Sequence, residues 1–140
     1  MKSFTFSILV YNHEDWILEH LESIKYLIMQ YKPLEVDLII SDDNSSDRSR
    51  DLIDHWLVSN SNLFRYIVKI YNEENIGTVA STKNIVEKCK TDILKITAGD
   101  DVYSFEDIFR YSVYSEDFSI VSGLPCLLYT SDAADDDVRV

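Results

Sequence analysis

Apolar and polar positions along the chain follow two different periods in turn, which predicts strands that alternate with helices. Phe4, Phe6 and Ile8 alternate with polar residues before the run becomes fully apolar, so we predict a strand over residues 4–11. The next apolar residues recur at helical spacing on one stripe: Ile17, Leu21, Ile24, Ile28 and Tyr31. We expect Asn12 to cap this helix and Pro33 to end it.

Shorter apolar runs predict the remaining strands: residues 36–40, 64–71 and 93–97, with a further candidate at 118–121. The first helix between them should bury Leu52, Ile53, Trp56 and Leu57. The second, opened by Gly77, should bury Val79, Thr82, Val86 and Cys89. Ser104 and Asp107 resemble a capping box at the start of another helix. This alternation predicts an α/β fold, in which a mostly parallel sheet carries helices on both faces.

Composition and charge narrow the class of protein. The 140 residues are 46% hydrophobic, enough for one domain with a core, and their net charge of -12 disfavours nucleic-acid binding. Three widely spaced glycines exclude the phosphate loops of P-loop and dinucleotide-binding proteins. No apolar run reaches the length of a membrane-spanning helix, about 18 residues, and no signal peptide begins the chain. We therefore expect a cytoplasmic domain.

The last fifteen residues differ in pattern from the rest of the chain. Residues 126–136, which begin at Cys126, have no amphipathic period and resemble the translated read-through of a common sequencing adapter. We therefore interpret residues 1–125 as part of a domain and residues 126–140 as a tail that is not native to it. A genuine acidic tail is the alternative.

Polar clusters directly follow the first, second and fourth predicted strands: Tyr11 with Asn12, Asp42 with Asp43, and Asp100 with Asp101. Ligands of open parallel sheets bind outside the carboxyl ends of the strands, so we expect the functional site at this edge. The three histidines form no metal-binding set. His20 and His55 fall within predicted helices, where we expect them at the surface or its boundary.

Each acidic pair admits two interpretations. Asp100 and Asp101, adjacent on a turn, suit a hard divalent cation such as Mg²⁺ or Mn²⁺, whereas the alternative is a plain Gly-Asp-Asp turn. Asp42 and Asp43 offer acceptors for the N–H of a pyrimidine base or for a ribose hydroxyl. The alternative there is that the loop only caps the next helix.

In their order and spacing, these clusters resemble the nucleotide-sugar half of a GT-A fold glycosyltransferase of family 2. Residues 7–14 are similar to the opening strand of that family and its Y-N-H-E turn, and residues 38–47 to its D-D-x-S-x-D loop. Residues 75–77 with Lys83 and Asn84 resemble its N-x-G … R-N helix, with lysine in place of arginine. Residues 98–101 fall at its D-x-D-D metal motif, where Ala98 replaces the first aspartate.

The resemblance implies transfer of a sugar, with inversion, from a nucleoside diphosphate (UDP above all) to a hydroxyl of a saccharide or lipid-linked acceptor. It implies a nucleotide site at Tyr11, Asn12, Asp42, Asp43 and Lys83. It also implies a Mn²⁺ or Mg²⁺ ion at Asp100 and Asp101, and a location in the cytoplasm or at the inner face of the membrane. The catalytic base of the family lies further downstream, so no residue here is assigned to it.

Three other classes of protein compete with this interpretation. A phospho-receiver domain needs its acidic pair after the first strand, where Tyr11 and Asn12 stand. A sugar nucleotidyltransferase needs a glycine- and arginine-rich loop after that strand, which is missing. A nucleotide- and metal-binding fragment without catalytic activity stays open as the alternative.

Overall fold

The computed structural model describes residues 3–110, and strands and helices alternate along them. The elements are β1 (Phe4–Val10), α1 (Ile17–Tyr31), β2 (Val36–Asp42), α2 (Ser49–Asn60), β3 (Ile67–Tyr71), α3 (Thr78–Lys88) and β4 (Ile93–Ala98). A short 3₁₀ helix, Ser61–Leu63, follows α2. The strand candidate at 118–121 and the proposed tail at 126–140 lie outside the described residues.

The four strands form one parallel sheet in the order β3-β2-β1-β4. The chain steps from β1 through β2 to β3 in one direction and then returns across both to reach β4. Since crossovers between parallel strands are right-handed, this reversal places α1 and α2 on one face and α3 on the other. The predicted α/β fold with helices on both faces is confirmed.

The hydrophobic core lies between the sheet and the two helices α1 and α2. Phe4, Phe6 and Ile8 of β1 point into it, together with alternate residues of β2. The predicted stripe of α1 is confirmed, because Ile17, Leu21, Ile24 and Ile28 are buried and Tyr31 packs against the core. This helix ends as predicted before Pro33, with Lys32 in the left-handed conformation (φ 49°) and its N–H bonded to the Ile28 carbonyl oxygen.

The predicted buried face of α3 is wrong by one residue position. Val79 and Val86 are 86% and 54% exposed, whereas Ser81 and Ile85 are buried against the sheet. One position corresponds to a rotation of about 100° around a helix, which is enough to turn the two valines away from the sheet. The sheet face below α3 carries small polar side chains, among them Ser7 and Ser41. Ser81 and Ile85, rather than the two valines, therefore form the buried face of α3.

The predicted helix start at Ser104 is also wrong, because residues 104–107 are not helical. A 3₁₀ turn begins instead at residue 108, where Asp107 accepts the N–H of Phe109 at 3.0 Å. The ring of Phe109 is buried 5.0 Å from that of Phe4 and 5.8 Å from that of Phe6. Burial of this ring decides the path of the chain here.

The two faces of α3 are distinguished by a matched pair of substitutions. Ile85→Ala removes a fully buried side chain and should lower the free energy of unfolding by about 2–5 kcal/mol. Val86→Ala, one position along on the exposed side, should change it by less than about 0.5 kcal/mol. Denaturant unfolding of both variants measures the difference. A greater loss for Val86→Ala would restore the face predicted from the sequence.

Candidate functional site

The carboxyl ends of the four strands bring the polar clusters to one edge of the sheet, as predicted. The loops after the strands begin side by side, because backbone bonds join them at the strand ends. The Asp43 N–H donates to the Val10 carbonyl oxygen, the Gly99 N–H to that of Leu9, and the Asn72 N–H to that of Asp42, each at 2.9 Å. The strand order reverses between β1 and β4, which is where open α/β sheets form their binding crevice.

Asn12 joins the loop after β1 to the loop after β2. Its N–H donates to the Ser45 Oγ at 2.9 Å, and its Oδ1 accepts the N–H groups of Ser46 at 2.8 Å and Asp47 at 3.3 Å. The prediction that Asn12 caps α1 is therefore wrong, and α1 has no side-chain cap at Trp16. A positive φ of 54° at Asn12 turns the side chain toward the neighbouring loop.

Two further hydrogen bonds join the same segments, and in both the donor is an N–H group that follows Asn12. The His13 N–H donates to the Ser49 Oγ at 2.8 Å, and the Glu14 N–H donates to the Asp47 Oδ2 at 3.0 Å. Asp47 also accepts the Ser49 N–H at 2.8 Å, at the start of α2. Burial alone would raise the pKa of Asp47, but these hydrogen bonds hold its pKa below the ordinary value. Asp47 is thus an ionised acceptor shared by both helix starts.

Asp42 is fully buried at the end of β2 and forms an ion pair with Arg50 of α2. The Arg50 Nε lies 2.8 Å from the Asp42 Oδ1, which also accepts the Ser45 N–H at 2.9 Å. The guanidinium group stacks over the Tyr71 ring at 4.9 Å. The Asp42 Oδ2 has no hydrogen-bond partner within residues 3–110. Asp42 therefore connects β2 to α2 and keeps one acceptor atom unused.

Asp43 uses its carboxylate to hold the loop between β3 and α3. Its Oδ1 accepts the Ile76 N–H at 2.8 Å and the Asn72 side-chain amide at 3.1 Å, and its Oδ2 accepts the Gly77 N–H at 2.8 Å. Burial raises the pKa of Asp43, but the three hydrogen bonds outweigh burial and keep the pKa below its ordinary value. A carboxylate has about four acceptor positions, so roughly one is left for a ligand.

Asp100 and Asp101 form the acidic loop after β4, at the reversal of the strand order. The side chain of Asp100 is 50% exposed, and its Oδ2 lies 3.9 Å from the Nε2 of His13. Asp101 closes the turn onto its own strand: its N–H donates to the Ala98 carbonyl oxygen and its Oδ2 accepts the Ala98 N–H, both at 3.1 Å. Both residues are exposed, so carboxylate oxygens of this loop face solvent.

Gly99 is packed so closely that any side chain at its position would force its neighbours to move. A Cβ atom there would lie 2.8 Å from the Nδ1 of His13 and 3.0 Å from the Cδ1 of Ile17. The acidic loop therefore rests directly on the first residues of α1 and the segment before it.

His20 is a residue of the site that the sequence analysis placed wrongly at the surface. It is fully buried in α1, its Nδ1 lies 2.8 Å from the Asp101 carbonyl oxygen, and its Nε2 lies 3.2 Å from the Thr97 Oγ1. Burial lowers the pKa of His20 despite the nearby aspartates, so the ring is neutral at pH 7. The signal was present in the sequence: position 20 lies on the buried stripe of α1, three residues after Ile17.

The remaining predicted site residues are open to solvent. Tyr11 is half exposed after β1, and Lys83 is exposed in the middle of α3, where it makes no hydrogen bond or ion pair with residues 3–110.

Across residues 3–110, no group of three or more histidine, cysteine, aspartate or glutamate side chains is placed to hold a metal ion. Asp100 and Asp101 nevertheless present the oxygen ligands that Mg²⁺ and Mn²⁺ prefer. They fit a cation whose other ligands come from outside this group.

Comparison with known families identifies the chain. The model of the family "Glycosyl transferase family 2" matches residues 5–111. The chain therefore belongs to glycosyl transferase family 2. Within the described residues, no helix has both the length and the apolar character needed to cross a membrane.

Curated relatives of the chain come from mycobacteria. An uncharacterized protein of Mycobacterium bovis and one of Mycobacterium tuberculosis are each 30% identical over 94 residues, which is 67% of this chain and 25% of theirs. The chain thus spans about a quarter of the length of the curated relatives that it matches.

Solved structures share the fold. A mannosyltransferase from Pyrobaculum calidifontis, in complex with GDP-Man and Mn²⁺, has a TM-score of 0.62 at 17% identity, over 73% of this chain and 28% of that one. S. aureus TarS in complex with UDP has a TM-score of 0.67 at 19% identity, over 82% of this chain and 32% of that one. Its complex with UDP-GlcNAc gives 0.67 at 17% identity, over 82% and 31%. The fold is the GT-A fold of glycosyltransferases.

The role of Asn12 is tested against Asn44, which also has a positive φ of 65°. Glycine tolerates this backbone conformation, so Asn12→Gly removes the Oδ1 acceptor without adding strain and should lower the free energy of unfolding by about 1–2 kcal/mol. Asn44→Gly, at an exposed position, should change it by less than about 0.5 kcal/mol. Equal values for both variants in denaturant unfolding would contradict a special role for Asn12.

Proposed function

We propose that this chain carries the donor-binding part of a glycosyltransferase that moves a hexose from a nucleoside diphosphate, preferably UDP, to an acceptor hydroxyl with inversion. The observation that carries the proposal is the exposed pair Asp100 and Asp101 at the reversal of the strand order, on the same sheet edge as Tyr11 and Asp43. Structures of the same fold were solved with GDP-Man and Mn²⁺, with UDP and with UDP-GlcNAc, which supports a nucleotide-sugar donor.

The nucleotide occupies the edge formed by the loops after β1 and β2. The half-exposed ring of Tyr11 and the remaining acceptor of Asp43 hold the base and ribose. Asn12 and Asp42 act through the loops, since the first joins them and the second anchors β2 to Arg50. These residues supply position rather than chemistry. Asp43 both contacts the ligand and holds the loop between β3 and α3, so its replacement by Asn would also disturb that loop.

The diphosphate lies toward the acidic loop. Asp100 and Asp101 would hold Mn²⁺ or Mg²⁺ through their solvent-facing carboxylate oxygens, and the ammonium group of Lys83, which has no partner within residues 3–110, is available to a phosphate. A cation held by Asp100 and Asp101 would supply positive charge against the charge that develops on the diphosphate leaving group. Carboxylates alone would repel the donor in this acidic chain, so this step requires a cation.

Residues outside the described range 3–110 would supply the acceptor side of the reaction. We assign no catalytic base among the described residues, and the proposed acceptor is a saccharide or lipid-linked hydroxyl reached in the cytoplasm or at the inner face of the membrane. Because the chain spans about a quarter of its curated relatives, a second candidate function is nucleotide and metal binding without transfer.

Metal-dependent binding of UDP is the direct test of the proposed site. Calorimetry should show UDP binding in the presence of Mn²⁺ that is lost when a chelator is added. Asp100→Asn should weaken this binding by at least about tenfold, because a neutral amide is a poor ligand for a hard divalent cation.

Glu87→Gln is the matched control, since Glu87 is an exposed carboxylate near the end of α3, at the opposite edge of the sheet. It removes one negative charge as Asp100→Asn does and should leave the affinity unchanged. UDP binding that is unaffected by the chelator would remove the metal from the proposal. An equal loss of affinity in both variants would show that the effect depends only on net charge.

Transfer and binding are separated by an activity assay. We expect the 140-residue chain to bind UDP but to transfer no sugar from UDP-hexoses to saccharide acceptors. A longer protein that includes this chain should catalyse the transfer and release UDP. Turnover by the 140-residue chain at a rate near that of the longer protein would show that the acceptor side and base lie within it.

A further inference from the structure

We propose that His20 is a positioning residue of the acidic loop: its Nδ1–H holds the Asp101 carbonyl oxygen and so sets where the carboxylates of Asp100 and Asp101 point. The inference rests on the proposed function, because it assumes that this loop binds the metal. It concerns a residue that touches neither the donor nor the cation. The acidic loop then depends on a buried side chain of α1 for its position.

The chemistry of the two contacts assigns the proton on the ring. A carbonyl oxygen only accepts hydrogen bonds, so the Nδ1 of His20, 2.8 Å from the Asp101 oxygen, must carry a hydrogen. On a neutral ring the Nε2 then carries no hydrogen and can only accept. The hydroxyl of Thr97 lies 3.2 Å from it and also 3.3 Å from the Ser7 carbonyl oxygen, so its one hydrogen is shared between these two acceptors. The ring of His20 therefore connects the end of β4, at Thr97, to the acidic loop that follows this strand.

Few other groups hold this loop from outside. The two bonds between Asp101 and Ala98 lie within the turn itself, so they fix its shape but not its direction. Before it, the Gly99 N–H bonds to Leu9; after it, the Tyr103 N–H bonds to the Ser23 Oγ at 3.1 Å. Within residues 3–110, the bond from His20 is the hydrogen bond that reaches the acidic pair from outside the turn, and the Nε2 of His13 lies further away, 3.9 Å from the Asp100 Oδ2.

The burial of His20 makes this bond costly to replace. The ring is closed off from water and stacks on Tyr103 at 5.5 Å, so no solvent molecule takes over the role of its N–H. A buried polar ring without partners would destabilise the fold by about 1–3 kcal/mol. Its two hydrogen bonds offset that cost only while Thr97 and Asp101 keep their places. The ring and the loop thus fix each other.

Two amide substitutions separate the two ring nitrogens. The side-chain nitrogen of asparagine reaches the position of Nδ1, whereas that of glutamine reaches the position of Nε2. His20→Asn should therefore keep the bond to Asp101, and His20→Gln should lose it. Removing a group that orients a metal ligand costs about 10–100-fold in affinity. We expect Mn²⁺-dependent UDP affinity to fall by at least about tenfold in His20→Gln and by less than about threefold in His20→Asn.

Two measurements on the metal-free protein test the same contact. In His20→Gln the amide hydrogens of Ala98 and Asp101 should exchange faster than in the wild type, whereas in His20→Asn they should not. The ¹⁵N spectrum of the wild-type ring should show the hydrogen on Nδ1. His55→Gln, at an exposed position of α2, is the control and should match the wild type throughout.

Each outcome bears on the inference. It is wrong if His20→Gln matches the wild type in affinity and exchange, if both variants lose affinity equally while melting like the wild type, or if the ring hydrogen lies on Nε2. The ring spectrum decides even where a variant fails to fold. UDP binding by the wild type that is unaffected by a chelator would instead contradict the proposed function. The two measurements on the metal-free protein would still decide whether His20 holds the loop.

Discussion

The backbone N–H groups of the segments that lead into the three helices need acceptors, and in this fold a neighbouring loop supplies them. The segment before α1 donates to Ser45 and Asp47 of the loop before α2 and to Ser49, the first residue of α2. The loop before α2 in turn donates to Asn12, and the loop before α3 donates to Asp43. Because side-chain acceptors of one loop bind N–H groups of the next, the conformation of each of the three loops depends on its neighbour.

This exchange divides the acidic residues of the sheet edge into two kinds. Asp42, Asp43 and Asp47 each accept hydrogen bonds from the chain itself, which fixes their carboxylates in place. Asp100 accepts none of these and extends toward solvent. The buried acids therefore stabilise the shape of the edge, whereas the acidic loop after β4 carries the charge that a ligand or cation meets. The high acid content of the chain is in this way partly structural.

The sequence predicted the elements, the parallel sheet and the edge where the polar clusters meet, because hydrophobic period and strand ends are local properties. It did not predict that Asn12 serves the loop after β2, since that depends on which strands lie side by side. The predicted face of α3 was wrong because α3 buries Ser81 and Ile85 against a sheet face that mixes small polar residues with Ile39, so its two valines were a misleading signal. His20 was misplaced because residue type outweighed its position on the stripe of α1.

The reversal of strand order explains why the acidic loop depends on α1. The loops after β1, β2 and β3 follow neighbouring strands in sequence and cap one another in that order. The loop after β4 begins on the far side of β1, so the nearest structure is the start of α1 rather than another capping loop. Gly99 packs on His13 and Ile17 there, and Asp101 bonds to His20. The helix that follows the first strand thus supplies the support of the loop that follows the fourth.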